Sequence, residues 1–182
     1  HKYNITTKAA GILSESLGTD LNRIANEIDK LTLLLPPGGE IKESLVEEHT
    51  GISKDFNSFE LLNAVIHKNV LKANQIVNYF EANPKNNPMV LTISTLFRYF
   101  LNLLTYHYQK RETQNIQEMA KILGVHPFFM KDYTEGSRIY SAKKCATVIS
   151  LLREYDMKSK GVGNTNTSAG ELLRELIFKI MH

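Results

Sequence analysis

The sequence predicts an all-α fold, with a small three-helix unit followed by a helical bundle. Three observations carry this expectation. No window sustains the polar–apolar alternation of a half-buried strand. Apolar residues instead recur at i, i+3, i+4 and i+7 through most of the chain. The strong breakers also cluster, at Pro36-Pro37-Gly38-Gly39, at residues 83–88 (NPKNNP) and at residues 161–166, and so divide the chain into helix-length segments.

Residues 6–17 place Ala9, Ile12, Leu13 and Leu17 on one face, and Gly18 is a stop signal. Thr19 has the chemistry of an N-cap for the next helix, and Asp20 suits the positive end of its dipole. Leu21, Ile24, Ala25, Ile28 and Leu31 then form an apolar stripe, with Arg23, Glu27 and Lys30 as neighbours on the solvent side. Beyond the prolines, residues 41–49 read as a short helix with Ile41, Leu45 and Val46 inward. Residues 1–53 therefore form one unit, too small to be very stable alone.

Residues 55–182 form the second unit. Helices are expected at 59–66, 70–83, 90–110, 116–123, 127–137, 141–155 and 168–182, separated by glycine, proline and asparagine turns. The helix at 90–110 is apolar nearly all round, which places it at the centre of the bundle. Phe97, Phe100, Leu101 and Leu104 follow helical spacing and are its expected buried stripe. Arg98 stands in the middle of the most apolar run, and a central arginine costs about 2.5–3.5 kcal/mol in a membrane helix. A bundle core is therefore expected here rather than a bilayer span.

Hydrophobic residues make up 42% and charged residues 23% of the chain, which places it among globular proteins rather than disordered or fibrous ones. The single cysteine, Cys145, cannot form an internal disulfide, so a cytoplasmic, reducing setting is expected. The opening HKYNITTKAAGIL lacks the pattern of a signal peptide. Residues 1–55 hold 6 Lys+Arg and 9 Asp+Glu, against 16 and 10 in residues 56–182. An acidic front and a basic body agree with two units.

No catalytic site is expected. GxxxxGK[ST] is absent, and residues 161–166 (GVGNTN) follow a helix rather than a strand, so they read as a turn. The histidines at 1, 49, 67, 107, 126 and 182 lack ligand spacing, and no second cysteine exists for a zinc site. His107 reads as structural, and Cys145 lies on one face with Ile149 and Leu152, as a small core residue does. Residues 116–138 resemble a helix-turn-helix. The second helix, however, carries Phe128, Phe129 and Tyr133 where a DNA-reading helix wants Arg, Lys, Asn or Gln.

Several motifs recur together in one order. They are Gly18, Asp20, Leu21, Asn26, Glu27, Lys30 and Leu31; then Ile41 and Val46; then Phe56, Phe59, Glu60, Leu61 and Ala64. The run FRYF at 97–100, LGVHPF at 123–128 and YDMKSKG at 155–161 follow. This order strongly resembles the delta subunit of bacterial DNA polymerase III, a clamp-loader component, along essentially the whole chain.

The resemblance implies the C-terminal portion of that subunit: a lid-like region over about 1–53 and a collar, or oligomerisation, domain over 55–182. The family's N-terminal α/β domain, which bears the clamp-binding element, has no counterpart here. No clamp-binding residue is therefore transferred. The implied role is non-catalytic and needs no cofactor or metal. It consists of assembly with other clamp-loader subunits in a five-membered ring that opens the sliding clamp, with DNA contacted indirectly or weakly and no membrane involved.

Two sets of residues follow as expectations. Residues 171–181 carry more apolar positions than one core-facing stripe requires, which makes Leu173, Ile177 and Ile180 candidates for a subunit interface; the alternative is that this helix is sandwiched inside its own bundle. Lys143, Lys144, Lys158 and Lys160, with Arg153, are the candidates for a DNA-proximal basic patch. The rival function is a DNA-binding protein that uses 116–138 and the basic C-terminal half.

Overall fold

The computed structural model describes residues 3–17, 21–50, 55–164 and 166–182, and the side chains of these except Glu15, Ser16 and Arg23. The expected cap at Gly18 to Asp20, the pairing of Arg23 and the boundary at 53–55, apart from Asp55, lie outside the described residues. Among the described residues ten α-helices follow one another: α1 (Thr7–Leu17), α2 (Leu21–Thr32), α3 (Glu43–Thr50), α4 (Ser58–Ile66), α5 (Val70–Ala82), α6 (Met89–Gln109), α7 (Ile116–Leu123), α8 (Met130–Ile139), α9 (Ala142–Ser159) and α10 (Ala169–Met181). The fold is helical, as expected, with one addition: β1 (Asn4–Ile5) and β2 (Glu40–Ile41) pair in parallel, Asn4 opposite Glu40 and Ile5 opposite Ile41.

That addition corrects the reading of Ile41 as helical. The Asn4 N–H donates to the Gly39 carbonyl at 3.1 Å and the Thr6 N–H to the Ile41 carbonyl at 3.0 Å. These bonds hold Ile41 extended until Glu43 starts α3. Ile41 remains inward, buried with Ala9, Ile12, Leu13, Leu31 and Val46 in the first of two cores. In α2, Leu31 is buried and Ile24 and Ile28 half-buried, but Leu21 and Ala25 are exposed, so the expected stripe is inward only along its later turns.

The second core belongs to α4–α10. The helix starts are set by short polar side chains that accept backbone N–H bonds: Asn57, Asn69, Asn115, Ser141 and Ser168, the last in a reciprocal capping box with Glu171. Gly124, at φ 65°, ends α7 in the left-handed conformation. His126 then caps a 3-10 turn at Pro127–Phe129, so the single helix expected over 127–137 is a turn plus α8.

α6 lies lengthwise against α9 and also touches α4, α7, α8, α10 and α1. Its length and apolarity alone would also suit a membrane span, but one face is buried in the bundle. That face is Met89, Thr92, Ile93, Leu96, Tyr99, Phe100 and Leu103. Of the expected stripe only Phe100 is fully buried; Phe97 and Leu101 are 39% and 44% exposed. The buried stripe is rotated because α8 takes the Tyr99 side of the helix, where Tyr99 stacks on Tyr133 with ring centroids 5.0 Å apart.

Candidate subunit interface

The three interface candidates on α10 point inward. Leu173, Ile177 and Ile180 are 2%, 2% and 0% exposed, and Leu172, Leu176 and Met181 are buried with them. Six apolar positions are needed because α10 lies between α5 and α9 and buries a face against each. This is the sandwiched arrangement, so the expected excess of apolar surface is used within the chain. The polar edges are tied down as well. Arg174 donates to Asn78 at 2.9 Å and to Glu81 at 2.6 Å. Lys179 donates to the Tyr155 hydroxyl at 2.9 Å and pairs with Glu175 at 2.7 Å, contacts that raise its pKa. The exposed large apolar residue of α10 is Phe178, stacked on His182.

The four lysines do not converge. Lys143 and Lys144 occupy the first turn of α9 and Lys158 its last, about 22 Å away at roughly 1.5 Å per residue. Lys144 donates to the Lys179 carbonyl at 3.3 Å. Lys158 pairs with Glu154 at 2.6 Å, and Lys160 with Asp156 at 2.7 Å. Three of the four are therefore engaged within the chain, the last two with carboxylates one helical turn away.

The segment 116–138 does form helix, turn and helix, but the second helix is packed rather than presented. Met130 and Tyr133 are buried, and Asn102 donates to both the Leu123 carbonyl and the Tyr133 hydroxyl. Lys131 and Arg138 are exposed on α8, with Glu135 between them paired to Lys131 and to His67. Phe128 projects beside a shallow groove that Ile116, Met130, Thr134 and Arg138 also line.

Cys145 and His107 are structural. The Tyr140 carbonyl accepts from His107 Nε2 at 2.7 Å and from Cys145 Sγ at 3.7 Å. Burial pushes the Cys145 thiol up to about 11, far from a nucleophile's range. Gly161 and Gly163 have φ of 89° and 70°, and residues 161–163 form a turn, as expected there; Thr165 lies outside the described residues. Among the described residues no cluster of His, Cys, Asp and Glu could hold a metal ion.

The outer face of α6 escaped the sequence reading. Val90, Phe97, Leu101 and Tyr108 are exposed at i, i+7, i+11 and i+18, one continuous stripe. Ser94 and Thr105 lie along it, but their hydroxyls donate back to the Val90 and Leu101 carbonyls, at 2.8 and 3.0 Å, and leave the face apolar. Arg98 is exposed at its edge. This polarity, apolar at the centre and charged at the rim, suits a protein contact. The available signal was a helix with more apolar residues than one stripe, which was read instead as a helix at the centre of the core.

The bundle that carries this face, α4–α9 and most of α10, coincides with a family match. Residues 55–176 match the model of the DNA polymerase III delta subunit, C-terminal domain. The chain belongs to this family. A curated relative, the DNA polymerase III subunit delta of Bacillus subtilis (strain 168), is 26% identical over 157 residues, covering 85% of this chain and 45% of that protein. A solved structure, the Bacillus subtilis DNA clamp loader delta protein YqeN, shares the fold with a TM-score of 0.64 at 23% identity, over 99% of this chain and 52% of that one. The chain thus spans about half the length of the delta subunits it matches. The fold likeness reaches the N-terminal unit as well, which lies outside the family-model match.

Proposed function

We propose that this chain is the non-catalytic C-terminal portion of a clamp-loader delta subunit, which acts in the cytoplasm by assembling with other clamp-loader subunits to support sliding-clamp loading in DNA replication. Residues 1–53 are a lid-like unit and residues 55–182 the collar that joins a five-membered ring. Contact with the sliding clamp belongs to the N-terminal half of such subunits, and DNA is met indirectly or weakly. The observation that carries this reading is the family match over 55–176, which covers the α6 face Val90, Phe97, Leu101 and Tyr108. A continuous exposed apolar stripe is a natural subunit contact.

The test is reconstitution with the other clamp-loader subunits of the same source, using Phe97→Glu and Leu101→Lys. Both residues are part-exposed, so both variants should stay folded with at most a small loss of stability and yet fail to co-elute with the ring. Retention of full assembly in both variants would exclude the α6 face. Salt-sensitive duplex binding by the isolated chain, lost in Lys131→Glu/Arg138→Glu, would favour the DNA-binding alternative.

A further inference from the structure

The first turn of α4 touches both units at once. Asn57 is buried, and its Oδ1 accepts from the Phe59 and Glu60 N–H groups at 2.9 and 3.0 Å. That fixes the direction in which these two side chains leave the backbone. Phe59 leaves the bundle and packs against the first core, to which Ala9, Ile12 and Leu13 of α1 belong.

Its ring fits over Gly11 in the middle of α1. A Cβ at residue 11 would sit 3.2 Å from the ring's Cζ and 3.3 Å from Cε2, tighter than ordinary contact. Glycine inside a helix is less favourable than alanine because its backbone loses more freedom, so the notch costs α1 stability and is filled by Phe59. Glu60, on the same turn, pairs with Lys8 one turn earlier on α1 at 2.6 Å. Ser58, just before Phe59, is hydrogen-bonded to the buried Thr92 of α6 at 3.3 Å.

We propose that this turn, Asn57-Ser58-Phe59-Glu60, is a rigid joint that locks the N-terminal unit to α6, so that displacement of one unit moves the other instead of being absorbed between them. Each component restricts a different motion. The Phe59–Gly11 contact resists separation, the Lys8–Glu60 pair resists rotation about the ring, and the Ser58–Thr92 bond anchors the turn to the central helix. α1 also touches α6 directly, in the same sense. Close-packed interfaces of this kind pass displacement on because they have few intermediate arrangements. The inference does not depend on ring assembly.

The test uses the full chain with spin labels at Glu48→Cys on α3 and Ser150→Cys on α9, both exposed positions. Cys145 is fully buried and does not compete for label. The parent should give one narrow distance distribution. Phe59→Ala removes the tongue, and Gly11→Leu fills the notch while leaving the rest of the first core unchanged. Each should at least double the width, with amide protection in α1 and α3 retained. Lys8→Glu, on the surface, should broaden it less. A broad parent distribution, or parental width in both Phe59→Ala and Gly11→Leu, overturns the joint. If both of those variants lose amide protection in α1 and α3, Lys8→Glu decides: parental width overturns the joint and broadening supports it.

Discussion

The Tyr140 hydroxyl donates to the Val65 carbonyl at 2.7 Å, a bond between residues 75 apart in sequence. Tyr140 is wholly buried, its ring edge-on to Phe100 with centroids 5.1 Å apart, and its own carbonyl receives His107 and Cys145. One residue thus ties α4, α6 and the start of α9 together. Burial raises the pKa of its phenol, so the donor is kept protonated. Tyr140→Phe should cost about 0.5–1.5 kcal/mol in urea denaturation, the net worth of one hydrogen bond. The low side is expected because the Val65 carbonyl also accepts from the Lys68 N–H at 3.1 Å.

Gly136 is where α8 closes on α6. A Cβ there would lie 2.0 Å from the Tyr99 hydroxyl oxygen, which donates to the Asp132 carbonyl at 3.0 Å. Gly136→Ala gains about 1 kcal/mol of helix propensity. It should nonetheless destabilise the bundle by about 1–3 kcal/mol, because Tyr99 must move. Tyr99→Phe removes the clashing oxygen, so the double variant should be more stable than the two single effects predict. A thermal double-mutant cycle reads this coupling.

Phe97 and Phe100 lie one helical turn apart on α6 with different surroundings. Phe100→Ala empties a fully buried site and should cost about 3–5 kcal/mol. Phe97→Ala, at a part-exposed site, should cost about 1 kcal/mol or less. Melting temperatures of the two variants side by side check the orientation of α6.

His67 carries the pH dependence expected near neutrality. Nδ1 donates to the Asn63 carbonyl at 2.9 Å and Nε2 meets Glu135 at 3.0 Å. Both partners only accept, so both ring nitrogens must be protonated to make both bonds. The Asn63 bond, then Glu135 and Asp132, raise the pKa above 6.5, with partial burial opposing; Lys131 and Lys68 lie nearby. A folded pKa above the unfolded value means the contribution is complete below 6.5 and is lost as pH rises through the folded value. Stability should therefore decline over that window, and His67→Gln should flatten the decline in pH-dependent urea titrations. Burial and the neighbouring Glu135 also raise the Asp132 carboxyl above its ordinary range, with His67 and Lys131 opposing.

The sequence alone determined that the chain is helical, where most helices begin and which family it resembles. These are local properties. Asn57, Asn115, Ser141 and Ser168 each cap within three residues of themselves, and Gly124 needs no distant neighbour to turn the chain. It also sufficed to read Cys145 and His107 as structural. Tertiary structure decided which face of each apolar helix is inward. α6 and α10 both carry apolar residues beyond a single stripe, and periodicity cannot tell a second buried face from an exposed one. For α10 the second face is covered by a neighbouring helix, which takes in Leu173, Ile177 and Ile180. For α6 part of it is not covered, which leaves Phe97 and Leu101 outside. The difference lies in contacts made over tens of residues: α5 and α9 flank α10, and Tyr133 of α8 fixes the rotation of α6 through Tyr99. Ile41 follows the same rule. Its strand exists because Ile5 and Thr6, far back in the chain, supply the partners that local propensity does not include.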